Sequence, residues 1–285
     1  MRIILFCFVL LVGCQSKQLR FEGGAVASDH PLASQAGVAI LEQGGNAVDA
    51  AVATSFALSV VRPFSCGIGG GGFMLIASDD IKPIALNYRE TAPRNSSPSM
   101  YQNHSSVLGP FAVGVPGTVA GLLDAHERFG TLPREVVLAP AIKLARQGFM
   151  PDDAYNRALS NALDVSENYK EALGTLFDQQ ELILLSGQAL AFEQIAAYGK
   201  AGFYEGKVAE AIVRATDGWL TLEDLKDYEP VWVEPIVSYK LDGMSVLTMP
   251  PPSSGGVAIG QVLSIMERLN AFDYELHSPT YCHLY

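Results

Sequence analysis

Gly67-Ile68-Gly69-Gly70-Gly71-Gly72 is the stretch on which the fold turns. It contains the pattern G-x-G-x-x-G. A dinucleotide site sets that pattern between a strand and a helix, so that the pyrophosphate meets the helix N-terminus. Here the order is reversed. Upstream, residues 47–61 are apolar on nearly all sides, which predicts a helix buried in a large core. Asn46 is its predicted N-cap, with Asp49 three residues on to answer it. Downstream, residues 73–77 and 84–89 flank the turn Ser78-Asp79-Asp80 and predict a hairpin. Ile84, Leu86 and Tyr88 share one face of the second strand, and Ala85, Asn87 and Arg89 the other. Nucleotide binding is therefore rejected. Two roles for the glycines stay open on equal terms. They let layers of backbone pack closely, or they line a substrate cleft with bare backbone.

Further out, residues 22–27 read as a strand lead-in. Pro31 opens a helix with Ala33, Ala36, Ile40 and Leu41 on one face, and Gly44-Gly45 ends it. Beyond Val113 helices dominate. Pro116-Gly117-Thr118 starts one that Gly130 closes. Pro133 and Pro140 each begin a short piece, and Gly148 closes the second. Residues 152–167, 189–198 and 208–215 have helical spacing, and Thr221 to Asp224 form a variant capping box. Strands are predicted at 231–233 and 245–248. Pro250-Pro251-Pro252-Ser253-Ser254-Gly255-Gly256 turns into a last helix at 257–269. Helices and strands interleave, but with hairpins, so the class is α+β or layered α/β rather than a doubly wound sheet.

The bulk properties agree with a globular chain acting on a small molecule. Of 285 residues, 49% are hydrophobic and 17% charged, which excludes intrinsic disorder. With 19 Lys+Arg against 30 Asp+Glu, the net charge of −11 would repel nucleic acid. No G-X-Y period or sustained heptad is present.

Residues 1–13 read as an export signal, with Met1-Arg2 ahead of an apolar run at 3–12 that is too short to span a bilayer. Leu11-Val12-Gly13-Cys14 resembles a bacterial lipobox, which makes Cys14 the predicted lipidation site and first mature residue. Acyl chains there would anchor the protein to a membrane on the exported side. The competing reading is an ordinary cleaved signal. Cys7 and Cys14 belong to the signal, and Cys66 and Cys282 are the remaining cysteines. Neither they nor the five histidines have metal-ligand spacing, and one disulfide is permitted but not required. The histidines read as surface or cap residues.

Few residues point to chemistry on their own. Arg89-Glu90-Thr91-Ala92-Pro93 closes a strand, where an arginine can grip a carboxylate through two parallel hydrogen bonds. From the residues alone, a surface ion pair with Glu90 is the stronger reading. Ser253 and Ser254 belong to no G-x-S-x-G elbow, and a helix-capping turn explains them better.

Taken in order, five stretches resemble the γ-glutamyltransferase family, also called γ-glutamyltranspeptidase or glutathione hydrolase. They are Gly44-Gly45-Asn46-Ala47-Val48-Asp49-Ala50-Ala51-Val52-Ala53, Gly67 through Phe73, Tyr88-Arg89-Glu90-Thr91-Ala92-Pro93, Gly114-Val115-Pro116-Gly117-Thr118-Val119-Ala120-Gly121, and Pro250 through Gly256. The resemblance implies an N-terminal nucleophile hydrolase with a four-layer αββα sandwich. It also implies a precursor that cuts itself into two subunits. The new N-terminal threonine of the small subunit then attacks a γ-glutamyl carbonyl, its own amine serving as base. In that scheme Arg89 binds the α-carboxylate of the substrate.

The departures are informative. The family's Thr-Thr-His processing site is absent, so residues 14–285 are expected to be the large-subunit portion, with the nucleophile beyond residue 285. No catalytic residue is therefore assigned within this chain. Arg62 precedes Pro63 where an acid or histidine is expected, which would alter the charge of the cleft. The expected activity is γ-glutamyl transfer or hydrolysis on glutathione and related compounds, with no metal or organic cofactor. The expected partners are the small subunit, a γ-glutamyl substrate and a membrane reached through the lipid anchor. The rivals are a related acylase and a non-catalytic lipid-anchored binding protein on the same scaffold.

Overall fold

Asn46 decides where the central helix begins. The computed structural model describes residues 23–165, 182–241 and 244–284. Within it α1 (Pro31–Glu42) and α2 (Ala47–Val61) pack side by side. The Asn46 side chain accepts from Val48 N and Asp49 N at 2.9 and 3.0 Å, and Asn46 N donates to Asp49 Oδ2 at 2.9 Å. Both halves of the predicted capping box are present. Asp49 is fully buried and does more than cap. It accepts from Thr131 N and from the Thr131 hydroxyl at 2.7 Å, tying α2 to the turn after α4 (Thr118–Phe129).

α2 is buried on nearly every side, as its composition predicts. Phe56 meets Phe192 of α7 (Ser186–Tyr198) edge to face, with centroids 5.5 Å apart. Small residues let α1 approach: a Cβ on Gly37 would lie 2.2 Å from Thr54 Oγ1. α5 (Arg134–Gln147) lies against α2 and against α7 (Ser186–Tyr198). It is one helix, not the two pieces predicted, and Pro140 sits inside it. Val137, Leu138, Ala141 and Ala145 are all fully buried. Their packing outweighs the roughly 3 kcal/mol that an interior proline costs.

Against this helical layer lies an antiparallel sheet in the order β1-β2-β3, formed by Phe73–Ser78, Ile81–Asn87 and Val231–Val233. Phe73 pairs with Asn87 and Ala85 with Val233. Central β2 buries both Ala85 and Leu86, so both of its faces are covered. A second ladder joins β4 (Ile236–Leu241) to β5 (Met244–Thr248), with α11 (Ser254–Arg268) packed on β4. β4 carries a register shift between Val237 and Tyr239, which broke the alternation that would have predicted it. The remaining helices are α3 (Pro63–Cys66), α6 (Asp153–Val165), α8 (Ala201–Tyr204), α9 (Gly206–Ala215), α10 (Leu222–Lys226) and α12 (Pro279–Leu284).

Three expectations need adjustment or fall outside. Residues 24–28 join no sheet among the described residues, unlike the predicted lead-in strand. The helix predicted at 257–269 is α11, which starts at Ser254 and is not the last, since α12 follows it; Gly256 packs where a Cβ would stand 2.4 Å from Thr248 Oγ1. The segment read as an export signal, residues 1–13, and the predicted lipidation site Cys14 lie outside the described residues.

Candidate functional site

The chain between β2 and α4 is held by backbone on both sides. Tyr88 N donates to Gly72 O at 2.9 Å and Gly72 N returns to Tyr88 O at 3.2 Å. Three residues on, Val115 N donates to Thr91 O at 2.8 Å and Thr91 N to Val115 O at 3.3 Å. Gly70 O accepts from both Gly117 N and Thr118 N, at 2.9 and 3.0 Å. The glycine stretch, the R-E-T-A-P segment and the start of α4 thus form one backbone platform.

Tyr88 is the buried centre of that platform. A Cβ on Gly121 would fall 2.2 Å from its Cγ, and one on Gly72 2.9 Å from its Cε2. Its phenol is pushed up to about 12, chiefly by burial. The two roles left open for the glycines are therefore divided by position. Gly72 packs on the Tyr88 ring and Gly67 and Gly70 line a cavity of about 230 Å3 together with Ser55, Cys66, Glu90 and Thr118, while Gly71 does both, lining that cavity and packing against the backbone of residues 88–90.

β2 ends at Asn87, two residues short of the predicted strand, so Tyr88 and Arg89 follow it; Tyr88 is buried and Arg89 is exposed. Its side chain is 52% exposed, lies 5.7 Å over the Phe73 ring, and pairs with Glu90 through Nε at 3.2 Å. The ion pair expected from the residues alone is present. Such an exposed pair is worth under about 1 kcal/mol, so it leaves the guanidinium available to a stronger acceptor. Arg89 N donates to Asn87 Oδ1 at 3.0 Å, and Arg89 O accepts from the Tyr228 hydroxyl at 2.8 Å. Tyr228 was not singled out from sequence. It follows the five-residue α10, and a contact spanning 139 residues leaves no local pattern to read.

Arg62 does not alter the cleft. It is 3% exposed, and its guanidinium pairs with Asp29 through Nε at 3.0 Å and with Asp152. Two solvent-exposed carboxylates answer the charge of this buried guanidinium. Asp152 is in turn lowered to about 2, first by its hydrogen bond from Arg62 and then by one from Tyr155 N. His30 neighbours this cluster and caps α1, its Nδ1 accepting from Leu32 N at 3.1 Å. Burial and the adjacent Arg62 lower its pKa below the ordinary 6.5.

Among the described residues, no cluster of three or more His, Cys, Asp or Glu could hold a metal ion, and no helix is long and apolar enough to cross a membrane. Cys66 and Cys282 are free thiols. The hydroxyls nearest the glycine cavity are turned to backbone: Ser55 donates to Ala51 O and Thr118 to Gly67 O. No histidine lines this cavity. The arrangement is equipped to hold an anion at Arg89, and no activated nucleophile stands beside it among the described residues.

Comparison with known proteins agrees with the motif order. Residues 33–285 match the family profile described as gamma-glutamyltranspeptidase. The chain is 41% identical over 279 residues to the glutathione hydrolase proenzyme of Pseudomonas aeruginosa, covering 92% of this chain and 49% of that protein. It is 37% identical over 277 residues to the acylase ACY 1 proenzyme of a Pseudomonas species, with 89% and 49% covered. The chain thus spans about half the length of these relatives. The crystal structure of Helicobacter pylori gamma-glutamyltranspeptidase superposes with a TM-score of 0.86 at 36% identity, covering 93% of this chain and 81% of that one. The fold is α+β, of the N-terminal nucleophile hydrolase type. The chain belongs to the γ-glutamyltranspeptidase family.

Proposed function

We propose that this chain is the large-subunit portion of a γ-glutamyl transferase and hydrolase acting on glutathione and related γ-glutamyl compounds. The observation that carries the reading is Arg89: a half-exposed guanidinium on an over-determined backbone, beside a glycine-lined cavity, in a chain of this family. Its role is to bind the α-carboxylate of the γ-glutamyl group through two charge-assisted hydrogen bonds. The nucleophile is a threonine supplied by a second polypeptide derived from the same precursor. Water or an acceptor amine then takes the acyl group from that threonine.

An apolar face supports the two-subunit reading. Val257, Ile259, Val262 and Ile265 of α11 and Leu269 just after it are exposed, as are Val237, Met244 and Leu247 on the neighbouring ladder. Large apolar side chains exposed in this number on two adjoining elements suit an interaction site. The second subunit is its proposed occupant. The chain on its own is expected to bind a hydrophobic dye and to show no γ-glutamyl turnover.

Export and lipidation at Cys14, with residues 1–13 removed, complete the proposal. They would place the enzyme at a membrane on the exported side. A related acylase is the second reading, favoured by the 37% identity to ACY 1. Paired substrates with and without an α-carboxylate, assayed with Arg89→Ala in the complete matured protein, separate the two. The γ-glutamyl reading expects strong dependence on that carboxylate.

A further inference from the structure

We propose that Tyr228 is a positioning residue for Arg89, fixing the peptide from which the guanidinium reaches its anion. The inference rests on the reading of Arg89 as the carboxylate-binding group. Residues 88–91 are paired through backbone at both ends, to Gly72 and to Val115. Between those anchors the Arg89 carbonyl has the Tyr228 hydroxyl as its partner, at 2.8 Å.

The phenol has little freedom to do otherwise. A Cβ on Gly117 would lie 2.2 Å from the Tyr228 Oη, so the hydroxyl is wedged against the start of α4. The Tyr228 ring stacks on Tyr204 with centroids 5.9 Å apart and planes 4° from parallel. Tyr204 in turn donates to Pro116 O at 2.8 Å and accepts from Ala120 N at 3.2 Å. Behind the ring, Lys200 donates to the Tyr228 carbonyl. The two tyrosines thus clamp separate strands of the platform: Tyr228 takes the Arg89 peptide, and Tyr204 takes residues 116–120. Burial, then the charge of Glu90, pushes the Tyr228 phenol up to about 12, so it stays a neutral donor through the working range.

The consequence is geometric. If the Arg89 peptide plane turns, the displacement grows along the arginine side chain, and misplacing a binding group by about 1 Å can cost up to 100-fold in rate. Loss of a single well-made hydrogen bond is worth less, about tenfold.

The test uses the complete matured protein, with a γ-glutamyl anilide and the matching anilide that lacks the α-carboxylate. Tyr228→Phe is expected to raise KM for the carboxylate-bearing substrate about 5- to 10-fold, with kcat within about twofold and the second substrate unchanged. Tyr204→Phe, which removes the other hydroxyl of the same stack, is expected to lower the melting temperature without that selective KM change. In an Arg89→Ala background, Tyr228→Phe should add nothing. Equal KM increases on both substrates, or an undiminished effect in the Arg89→Ala background, would overturn the inference. Arg89→Ala run alone separates the two levels. If it abolishes preference for the carboxylate while Tyr228→Phe does not weaken it, only the positioning role fails. If Arg89→Ala leaves the preference intact, the carboxylate reading fails and this inference falls with it.

Discussion

Gly121 and Tyr88 occupy space that a single methyl group would close: a Cβ at Gly121 would stand 2.2 Å from Tyr88 Cγ and 2.4 Å from its Cβ. Helix α4 meets the sheet at this contact. Gly121→Ala must displace either the helix or the ring, and Tyr88 is held by Gly72 on its other side. The expected cost is about 1–3 kcal/mol or more in a denaturant melt. Gly187→Ala in α7 is the comparison, since nothing lies within 4 Å of its added Cβ. It should leave stability unchanged or slightly raised.

His30 gives a pH dependence of defined sign. Its Nδ1 can accept from Leu32 N only when unprotonated, and Arg62 is close by. The folded pKa lies below 6.5, so the unfolded chain binds the proton more readily. Stability contributed here is present above pH 6.5 and falls as the pH drops from 6.5 toward the folded value. Asp29 and Asp152 face the same ring and limit the fall. His30→Asn keeps an N-cap acceptor and should flatten that step in melts taken across pH 5 to 7, values chosen to span roughly the ordinary histidine range. An unchanged slope would remove His30 as its source.

Asp49 behaves as a buried capping carboxylate. Burial tends to raise its pKa, but hydrogen bonds from Thr131, Asn46 and Leu132 outweigh it and hold the group below 3.8. Its stabilisation is therefore full above the unfolded value and lost as pH falls through the folded one. Asp49→Ala leaves the Asn46 cap but removes its reciprocal half and strands the Asn46 and Thr131 donors, at a cost of about 2–4 kcal/mol. Asp49→Asn should recover part of this. Denaturation at neutral pH measures both.

If Cys14 is lipidated as proposed, Cys14→Ala loses acylation and leaves the membrane fraction. Mass spectrometry of the mature N-terminus and cell fractionation check this. Wild-type protein recovered fully soluble after export would contradict the anchor.

What could be read in the sequence was local. The cap at Asn46 and the all-round apolarity of residues 47–61 marked α2 to its observed ends, Ala47–Val61, because both signals lie within a few residues of the helix they define. Arg89 was singled out by the resemblance of Arg89-Glu90-Thr91-Ala92-Pro93 to the family's motif, since the residues alone favoured a surface ion pair with Glu90. What escaped depends on distant contacts. Pro140 reads as a helix start until the packing of α5 between α2 and α7 is known. Arg62 reads as a cleft charge, and only the fold brings Asp29 and Asp152 to it across 33 and 90 residues. Tyr228 has no periodic context, and its partner lies in another segment altogether.

The direct test of the account is Arg89→Ala in the complete protein, with cleavage of the precursor checked by gel. A charge-assisted grip on a carboxylate is worth about 1.5–3 kcal/mol, so kcat/KM for a γ-glutamyl anilide should fall about 10- to 150-fold. Arg89→Lys, which keeps the charge but not the planar fork, should recover only part. The anilide lacking the α-carboxylate should be a poor substrate for the wild type and lose little more in the variant. A loss under about tenfold, or equal losses on both substrates in fully cleaved protein, would contradict the assignment of Arg89 as the carboxylate-binding residue.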